Sequence, residues 1–400
     1  MKLMFIETLG DGGIAHYTYN LVSALKRRGH KVLLATTRIY ELVDMMEEED
    51  LRCIFFKGAF RLMRSVPTLS KETLFPTLFR RFLKVIEYPI NTIECILIGK
   101  EKGVDLIHFQ VLHLIDIFMV FWYRLAGFRV VFTVHNVMPV HKPLNWAQRG
   151  LYGLLYRYCD LFIIHSEVSK AEFKELFWVP SEKIQVVPHG DYQFFVPEKP
   201  LSKDEAKGAL GIDSKRKTIL FFGAIRDNKG LEEILKALPR IRKGVPEVML
   251  LIVGEAIQGY EKYRDLIRIL EIEGSVMEVL RYVSNEEIAT FFYATDVVVL
   301  PYREVSQSGV LQIAYAFGLP VVATAVGGFL EAIEDGKNGF LVPPQALDLL
   351  ADRVAKVLSD DERAEAMGRH SLFLAKTMYS WKEITERTEA LYQLLEERKG

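Results

Sequence analysis

The sequence has little cysteine, and this excludes two kinds of architecture. Among 400 residues there are three cysteines, Cys53, Cys95 and Cys159. Their number is odd, and they lack the close pairs that ligate structural zinc. Neither a disulfide framework nor a metal cluster is therefore indicated, and a reducing, cytoplasmic location is predicted.

Long hydrophobic runs and an excess of charge are lacking as well. The most apolar region, 104–135, has no uncharged run of the roughly 18 residues that a spanning helix needs. Four charges interrupt it: Asp105, Asp116, Arg124 and Arg129. Residues 1–9 run into a predicted strand without the parts of a secretory leader. A formal net charge of −1 gives no reason to expect nucleic acid as a partner, because duplex binding depends on neutralising many phosphates.

What is present is an α/β pattern in two series. A chain of 400 residues exceeds the size at which one core stops growing, about 250 to 300 residues. Short β-branched runs alternate with helical spacing, which is typical of doubly wound parallel sheets. We predict domains 1–195 and 218–379, a proline-containing linker 196–217, and an amphipathic helix at 380–400.

A glycine-rich loop, 10–16, follows the first strand and opens a helix. Gly12 and Gly13 let a phosphate or a sugar approach the free amides at the helix start. The loop also matches the G-x-G-x-x-A pattern of dinucleotide-binding proteins, whose acidic residue is expected about 20 residues later. The second strand ends in 35–38 without an acid. NAD chemistry is thereby disfavoured, whereas Arg38 leaves an NADP dehydrogenase as an alternative.

Two cations follow the first strand of the second series. The loop 223–230 contains Gly223, Arg226 and Lys229 ahead of an amphipathic helix. Two fixed cations beside a leaving diphosphate would stabilise its charge, as a divalent metal does in other enzymes. The alternative is a solvated turn with a capping lysine.

A second phosphate cradle is predicted where Ser308 and Gly309 precede the apolar helix 311–317. Backbone amides at a helix start attract anions, and the glycine keeps the approach open. In open α/β sheets, ligands bind where loops leave the carboxyl ends of strands, which is where both loops stand.

The order of these motifs resembles that of the retaining glycosyltransferases of family 4, which have the GT-B fold. The matching segments extend over nearly the whole chain: 12–13, 133–136, 223–229, 308–320 and 327–343. The resemblance implies two Rossmann-like doubly wound domains facing a central cleft, with helix 380–400 packing back on the first. It implies transfer of a sugar from a nucleoside diphosphate sugar to a glycan or lipid-linked acceptor, with retention of configuration.

The resemblance also assigns roles to individual residues. Arg226 and Lys229 hold the diphosphate, and His135 contacts the donor sugar, although a buried structural histidine is the alternative there. His16 and His189 are predicted on the acceptor side. The predicted donor-binding residues are Gly12, Gly13, Gly223, Tyr282, Val283, Glu304, Ser306, Gln307, Ser308, Gly309, Val310 and Gln312.

In one respect the sequence departs from the family pattern. Two glutamates usually stand eight residues apart, at positions occupied here by Val305 and Ile313. Glu304 and Gln312 each stand one residue away, and a shift of one turns a helical side chain by about 100°.

No enzymic nucleophile is needed when the diphosphate leaves and the acceptor attacks from the same face. The sequence has no Asp-x-Asp triplet, so no metal is predicted, and no cofactor beyond the donor.

A basic and apolar segment, 57–84, bears on the class of acceptor, because membrane contact would favour a lipid-linked one. It carries seven lysines and arginines against Glu72 alone, interleaved with phenylalanine, leucine and methionine. Such a segment can rest on an anionic membrane, which predicts peripheral contact at the inner face of the cell membrane. An ordinary pair of helices is the alternative. For the whole chain, a sugar-nucleotide 2-epimerase of the same fold and a non-catalytic sugar-nucleotide-binding protein also remain open.

Overall fold

The computed structural model describes residues 1–47, 49–57, 74–112, 116–138, 144–257 and 259–397, with the backbone alone at 74–81, 84, 117 and 118. The predicted membrane segment 57–84 therefore lies largely outside the described side chains. The chain divides into two compact units, Met1–Pro188 with Trp381–Gly400, and His189–Ser380. Within the described residues, no helix combines the length and the apolar character that crossing a membrane requires.

The first unit alternates strands and helices along the chain. Its elements are β1 (Lys2–Ile6), α1 (Gly12–Arg27), β2 (Lys31–Thr37), a 3-10 turn (Val43–Met45), β3 (Leu51–Phe55), α2 (Leu74–Lys102), β4 (Leu106–Phe109), α3 (Asp116–Leu125), β5 (Arg129–Val134), α4 (Trp146–Arg157), β6 (Leu161–Ile164), α5 (Glu167–Phe177), a 3-10 turn (Ser181–Lys183) and β7 (Ile184–Val186). The last helix of the chain, α14 (Trp381–Glu397), belongs to this unit as well.

The second unit repeats the alternation. Its elements are a 3-10 turn (Gln193–Phe195), α6 (Lys203–Ala209), β8 (Lys217–Phe222), a 3-10 turn (Asp227–Lys229), α7 (Leu231–Gly244), β9 (Val248–Val253), α8 (Glu261–Ile269), a 3-10 turn (Glu273–Ser275), β10 (Val276–Val279), α9 (Asn285–Tyr293), β11 (Val297–Leu300), α10 (Gly309–Ala316), β12 (Val321–Thr324), α11 (Phe329–Ala332), β13 (Gly339–Val342), α12 (Leu347–Leu358) and α13 (Asp361–Lys376).

Each unit is built on one parallel sheet. Within the described residues, the strand order is β3-β2-β1-β4-β5-β6-β7 in the first unit and β10-β9-β8-β11-β12-β13 in the second. Both orders run outward from a first strand and then reverse, which is the doubly wound arrangement. The reversal lies between β1 and β4 in the first sheet and between β8 and β11 in the second. Ligands of such sheets bind at this switch point, beyond the carboxyl ends of the strands.

Alternation along the strands creates a core on both faces of each sheet, because successive side chains point to opposite sides. In β1, Met4 and Ile6 pack with α2 to α5, whereas Leu3 and Phe5 pack with α1 and α14. In β8, Ile219 and Phe221 pack with α7, α8 and α12, and Leu220 packs with α9, α10 and α13. The strands in the middle of each sheet are buried on both faces, which explains their nearly continuous apolar runs.

The division into compact units falls after Pro188, ahead of the linker predicted at 196–217, whose bounds stay a prediction. The first unit ends at Pro188, and residues 189–217 belong to the second unit. A capping box of Ser202 and Glu205 starts α6 inside the expected linker. The Lys207 ammonium then lies 3.3 Å from the carboxylate of Asp296, which fastens this stretch to the second sheet. Part of the predicted linker therefore forms a helix that is held to the second unit.

Candidate active site

The switch point of the first sheet is organised by a buried carboxylate. Glu7 follows β1 and accepts hydrogen bonds from the backbone N–H groups of Leu9 at 2.7 Å and Gly10 at 3.0 Å. The Thr36 hydroxyl donates a third at 3.3 Å. Burial raises the pKa of Glu7 in spite of these bonds. Gly10 has φ +88°, and a Cβ there would lie 2.6 Å from the Thr37 hydroxyl oxygen, so glycine is required for this turn.

The amides at the start of α1 already attract an anionic group. Gly12 and Gly13 form the first residues of the helix, and the Gly12 N–H donates to the Glu41 carboxylate at 3.0 Å. The buried His16 places Nε2 3.6 Å from the other oxygen of Glu41. A carboxylate thus occupies the kind of position that a phosphate or a sugar hydroxyl would take. His16 lies in this cluster, and its predicted contact with the acceptor stays a prediction.

His135 lies at the end of β5 in a chain of buried polar groups. Its Nε2 is 3.1 Å from Oε1 of Gln110, which follows β4, and its Nδ1 is 3.3 Å from Nε2 of His165. His165 Nδ1 lies 2.9 Å from the carbonyl oxygen of Val187. A carbonyl only accepts, so His165 Nδ1 carries a proton. Burial lowers the pKa of His165 to about 4, so His165 is neutral at pH 7 and its Nε2 accepts from His135.

This arrangement fixes one proton of His135 on Nδ1 and leaves Nε2 facing the Gln110 amide. An amide can donate or accept, so Gln110 can serve either protonation state of the ring. The ring of Tyr17 packs edge-on against His135, with centroids 4.8 Å apart. A contact between His135 Nε2 and a donor sugar, as predicted, therefore requires the Gln110 side chain to move away from Nε2.

Two loops meet at the switch point of the second sheet. Gly223, with φ +104°, follows β8, and a Cβ there would lie 3.5 Å from Cγ2 of Val310 in the first turn of α10. A Cβ on neighbouring Gly254 would lie 2.1 Å from the Gly223 carbonyl oxygen. These close approaches bring the start of α10 beside the loop that carries the two predicted cations. The structure thus brings Gly223 close to Val310 in the Ser308–Val310 segment.

Lys229 is held by an aromatic ring that the sequence did not identify. Its Nζ lies 3.8 Å from the centroid of Tyr302, a side chain 1% exposed that follows β11. A cation over the face of tyrosine is stabilised by the ring's charge distribution. Arg226 precedes the 3-10 turn that contains Lys229. Gly230 then has φ +68°, and a Cβ on it would lie 1.8 Å from the Pro301 carbonyl oxygen, so the β8 and β11 loops approach each other closely. The Arg303 N–H also donates to the Asn228 carbonyl oxygen at 2.9 Å.

The 305–309 loop is pressed closely against neighbouring backbone. Cβ atoms on Gly327 and Gly328 would lie 1.6 Å from the Val305 carbonyl oxygen and 2.5 Å from that of Ser306. Ser308 caps α10 by accepting from the Leu311 N–H at 3.3 Å. On the other side, a Cβ on Gly309 would lie 3.1 Å from the Tyr192 hydroxyl oxygen. Ser306 and Gln307 lie in this loop, between Val305 and the helix start.

The positions of the two absent glutamates are filled by core side chains. Ile313 is buried in the second unit's core, and Val305 packs against the same cluster. Glu304 is exposed. Gln312 is 4% exposed, and its Oε1 accepts no hydrogen bond within the described part of the chain. Because a buried amide oxygen without a partner is costly, Gln312 is the better candidate of the two for a ligand contact.

The remaining predicted residues also lie in the second unit. Val283 is buried and Tyr282 is exposed, in the segment between β10 and α9. His189 is the first residue of the second unit, with Nδ1 2.8 Å from the Gly190 carbonyl oxygen and its ring stacked on Tyr192. It therefore shares a unit with the predicted donor residues.

Sequence reasoning missed several polar side chains at these sites, namely Glu7, Glu41, Gln110, His165, Tyr192 and Tyr302. Gln110 and Tyr302 follow strands that border a switch point, and that position was a usable signal. Glu41 and Tyr192 reach their sites from loops, which no local pattern predicts. Within the described residues, there is no group of three or more His, Cys, Asp or Glu that could hold a metal ion.

Models of two glycosyltransferase families match the two halves of the chain. A family described as "Glycosyltransferase Family 4" matches residues 11–190, and one described as "Glycosyl transferases group 1" matches residues 202–371. A D-inositol 3-phosphate glycosyltransferase of Corynebacterium urealyticum is 30% identical over 243 residues, which are 59% of this chain and 57% of that protein. Its counterpart in Corynebacterium aurimucosum is 28% identical over 408 residues, 96% of this chain and 91% of that protein.

Solved structures share the fold. Sucrose-phosphate synthase of Thermosynechococcus elongatus superposes with a TM-score of 0.76 at 20% identity, covering 98% of both chains. Anabaena HepE in complex with UDP-glucose gives a TM-score of 0.76 at 19% identity, covering 98% of this chain and 100% of that one. The predicted fold of two Rossmann-like α/β domains of the GT-B type is confirmed.

Proposed function

Since the chain belongs to the glycosyltransferases of family 4, we propose that it transfers a sugar from a nucleoside diphosphate sugar, with retention and without a catalytic metal. The observation that carries this proposal is the meeting of the β8 loop with the start of α10, where Gly223 approaches Val310. Anabaena HepE, which shares the fold, has been solved with UDP and with UDP-glucose. A UDP-sugar is accordingly the first donor to test.

The diphosphate is proposed to lie against the amides at the start of α10. Ser308 caps this helix with its side chain, and the amides of Gly309 and Val310 stand in the first turn, where the helix dipole attracts an anion. Arg226 and Lys229 supply positive charge from the neighbouring loop. Holding Lys229 over Tyr302 reduces the freedom that this long side chain would lose on binding.

The proposed reaction needs no protein nucleophile. The bond between the anomeric carbon and the diphosphate oxygen breaks, and its electron pair leaves with the diphosphate. The acceptor hydroxyl oxygen attacks the same face of the sugar, and its proton passes to an oxygen of the leaving phosphate. Arg226 and Lys229 stabilise the negative charge that grows on the diphosphate, the role that a metal ion plays in other transferases.

His135 is proposed to position the donor sugar. The fixed proton on Nδ1 leaves Nε2 as the atom that would meet a sugar hydroxyl once Gln110 yields its place. Gln110 and His165 are in this proposal positioning residues, since they act through the ring of His135.

The proposed acceptor is a glycan or a lipid-linked acceptor, reached from the cytoplasm at the inner face of the membrane. The names of the Corynebacterium relatives add an inositol phosphate to the acceptors worth testing. Donor binding without turnover would instead favour a non-catalytic sugar-nucleotide-binding protein, and formation of the 2-epimer of the donor would favour the epimerase.

A donor screen tests the proposal. Purified protein is incubated with UDP-, GDP- and ADP-sugars in the presence of EDTA, and thermal stabilisation and donor hydrolysis are measured. We expect one donor class to stabilise the protein and to be slowly hydrolysed. Failure of every sugar nucleotide to bind would refute the proposal and make NADP the next ligand to try.

The variants Arg226→Ala and Lys229→Ala locate the site. Each should lower the rate by roughly a hundredfold, about 3 kcal/mol in the barrier. Lys236→Ala is the matched control, because Lys236 lies on α7 in an exposed ion pair with Glu232. A control that loses as much activity as Lys229→Ala, or a Lys229→Ala rate within about threefold of the parent, would contradict the assignment.

A further inference from the structure

An apolar stripe covers the exposed side of helix α2. Among the described side chains from Phe82 to Leu97, every exposed one is apolar: Phe82, Val85, Ile86, Pro89, Ile90, Ile93 and Leu97. These positions recur every three or four residues, so they form a single stripe about 22 Å long. A surface helix normally shows charged and polar side chains to water, and the described exposed side chains of 82–97 have the opposite character.

The opposite side of α2 is fastened inside the unit, so the stripe cannot rotate inward. The Thr92 hydroxyl lies 2.8 Å from Sδ of Met119 on α3, and Asn91 accepts a hydrogen bond from the Phe56 N–H at 3.1 Å. Tyr88 packs against Phe55 with ring centroids 5.5 Å apart. Since polar and aromatic groups define the buried side, the orientation of the stripe is a fixed feature of the fold.

The neighbouring helix α3 also carries apolar side chains at its surface. Trp122 and Leu125 are both exposed on it, although Leu125 lies in the last turn beside Arg124. Tryptophan combines a large apolar ring with a polar N–H group, which suits it to the boundary between lipid and water. An exposed surface of this character marks an interaction site.

The charges around the stripe select the kind of partner. Between Phe82 and Leu97, the acidic side chains of α2 are Glu87 and Glu94. Both are half-buried, and Glu94 pairs with Lys57 at 2.9 Å. Arg80 and Arg81 precede the stripe on the same helix, Lys84 stands at its first turn, and the exposed Lys100 and Lys102, with Glu101 between them, follow it. Basic residues therefore stand at both ends of an apolar surface.

We propose that the α2 stripe docks on an anionic lipid bilayer. Apolar side chains would enter the interface while the flanking cations meet lipid phosphates. A second copy of the chain is a poorer occupant, since a twofold contact through the same stripe would bring two sets of basic ends together. The proposal uses none of the residues assigned to donor binding, so it stands or falls independently of the donor chemistry.

Vesicle flotation tests the docking surface. The full-length protein is mixed with vesicles of phosphatidylcholine, with and without phosphatidylglycerol, and its bound fraction is measured. The test variant is Ile90→Ser with Leu97→Ser, at side chains 60% and 64% exposed. The control is Ile269→Ser with Phe373→Ser, at apolar side chains of the second unit that are 75% and 58% exposed.

We expect the parent and the control to bind the anionic vesicles. The test variant should bind them at least about tenfold more weakly. Equal binding of all three proteins, or no binding of the parent, would overturn the proposal. A parent dimer in light scattering that dissociates in the test variant would assign the stripe to a second copy instead. Donor hydrolysis in solution and the melting temperature should be unchanged in the test variant. If that variant does not fold, Ile93→Ser alone gives the same comparison.

Discussion

The C-terminal helix α14 should be indispensable to the first unit, although it comes from the far end of the chain. It buries Ile384, Tyr392 and Leu395 beside the sheet. Each buried side chain of this size contributes about 1.5 to 3 kcal/mol, so about 5 to 9 kcal/mol would be lost with the helix. That approaches the whole stability of a typical domain, about 5 to 15 kcal/mol. Deletion from Ser380 should therefore unfold the first unit and abolish activity.

A single hydroxyl provides the graded form of the same test. Tyr392 Oη lies 2.5 Å from Nδ1 of fully buried His108, whose Nε2 lies 2.7 Å from the Thr133 hydroxyl oxygen. Tyr392→Phe keeps the ring and leaves Nδ1 without its partner, which should cost about 1 to 3 kcal/mol. Leu394→Ala, at an exposed position of the same helix, should change stability by less than about 0.5 kcal/mol.

The assay is urea unfolding followed by fluorescence and by donor hydrolysis. The helix also holds the site, since Trp381 packs on Tyr17 with ring centroids 5.3 Å apart and Tyr17 packs on His135. Activity should accordingly be lost at lower urea concentrations in Tyr392→Phe than in the parent. A truncated chain with the parent's unfolding transition, or equal effects of Tyr392→Phe and Leu394→Ala, would refute this reasoning.

Three further predictions concern the two units separately. Gly230→Ala should destabilise the second unit by about 3 kcal/mol or more, because backbone strain adds to overlap with the Pro301 carbonyl. Gly336→Ala, whose Cβ would meet nothing within 4 Å, should show the strain alone, about 1 to 2 kcal/mol by thermal unfolding. Gln312→Met should raise the melting temperature of the free protein and weaken donor binding in calorimetry, because it removes a buried unpartnered oxygen. Burial lowers the pKa of His165 to about 4, so between pH 6.5 and 4 the unfolded chain binds a proton that the folded protein does not. The free energy of unfolding should therefore decrease as the pH is lowered through this range, by up to about 1.4 kcal/mol per pH unit. Urea unfolding of His165→Asn at pH 7 and 5.5 should show a smaller decrease than the parent.

The fold could be predicted because parallel sheets leave a strong local signal. Strands such as β9, buried along their whole length, need continuous apolar runs, and the helices between them need an apolar stripe. The boundary between the two compact units, after Pro188, was harder to predict. Residues 189–217 contain prolines and mixed charge, as linkers do, and are nevertheless held by contacts such as that between Lys207 and Asp296, 89 residues apart in sequence. Contacts over such separations leave no local pattern.

The candidate site was predictable where backbone geometry demands glycine. Gly223, Gly230 and Gly327 all have positive φ and stand against neighbouring backbone or side chains, so the chain tolerates no other residue there without strain. The side chains that support the site are a different matter. Tyr302 and Gln110 gain their roles only when β11 lies beside β8 and β4 lies beside β1, and strand order is a property of the whole sheet.

The absent glutamate pair shows how a site can keep its backbone while its side chains change. At Ile313 the apolar side chain faces the second core, and an acid in that place would need a polar partner to be stable there. The neighbouring Gln312 is buried with an oxygen that accepts no hydrogen bond in the described part of the chain. This costs free energy of folding, which a hydrogen bond from a bound ligand would offset. The amides at the start of α10, by contrast, can attract an anion whatever side chains surround them. Donor preference should therefore depend on Gln312 and its neighbours, and diphosphate binding on the loops after β8 and β11.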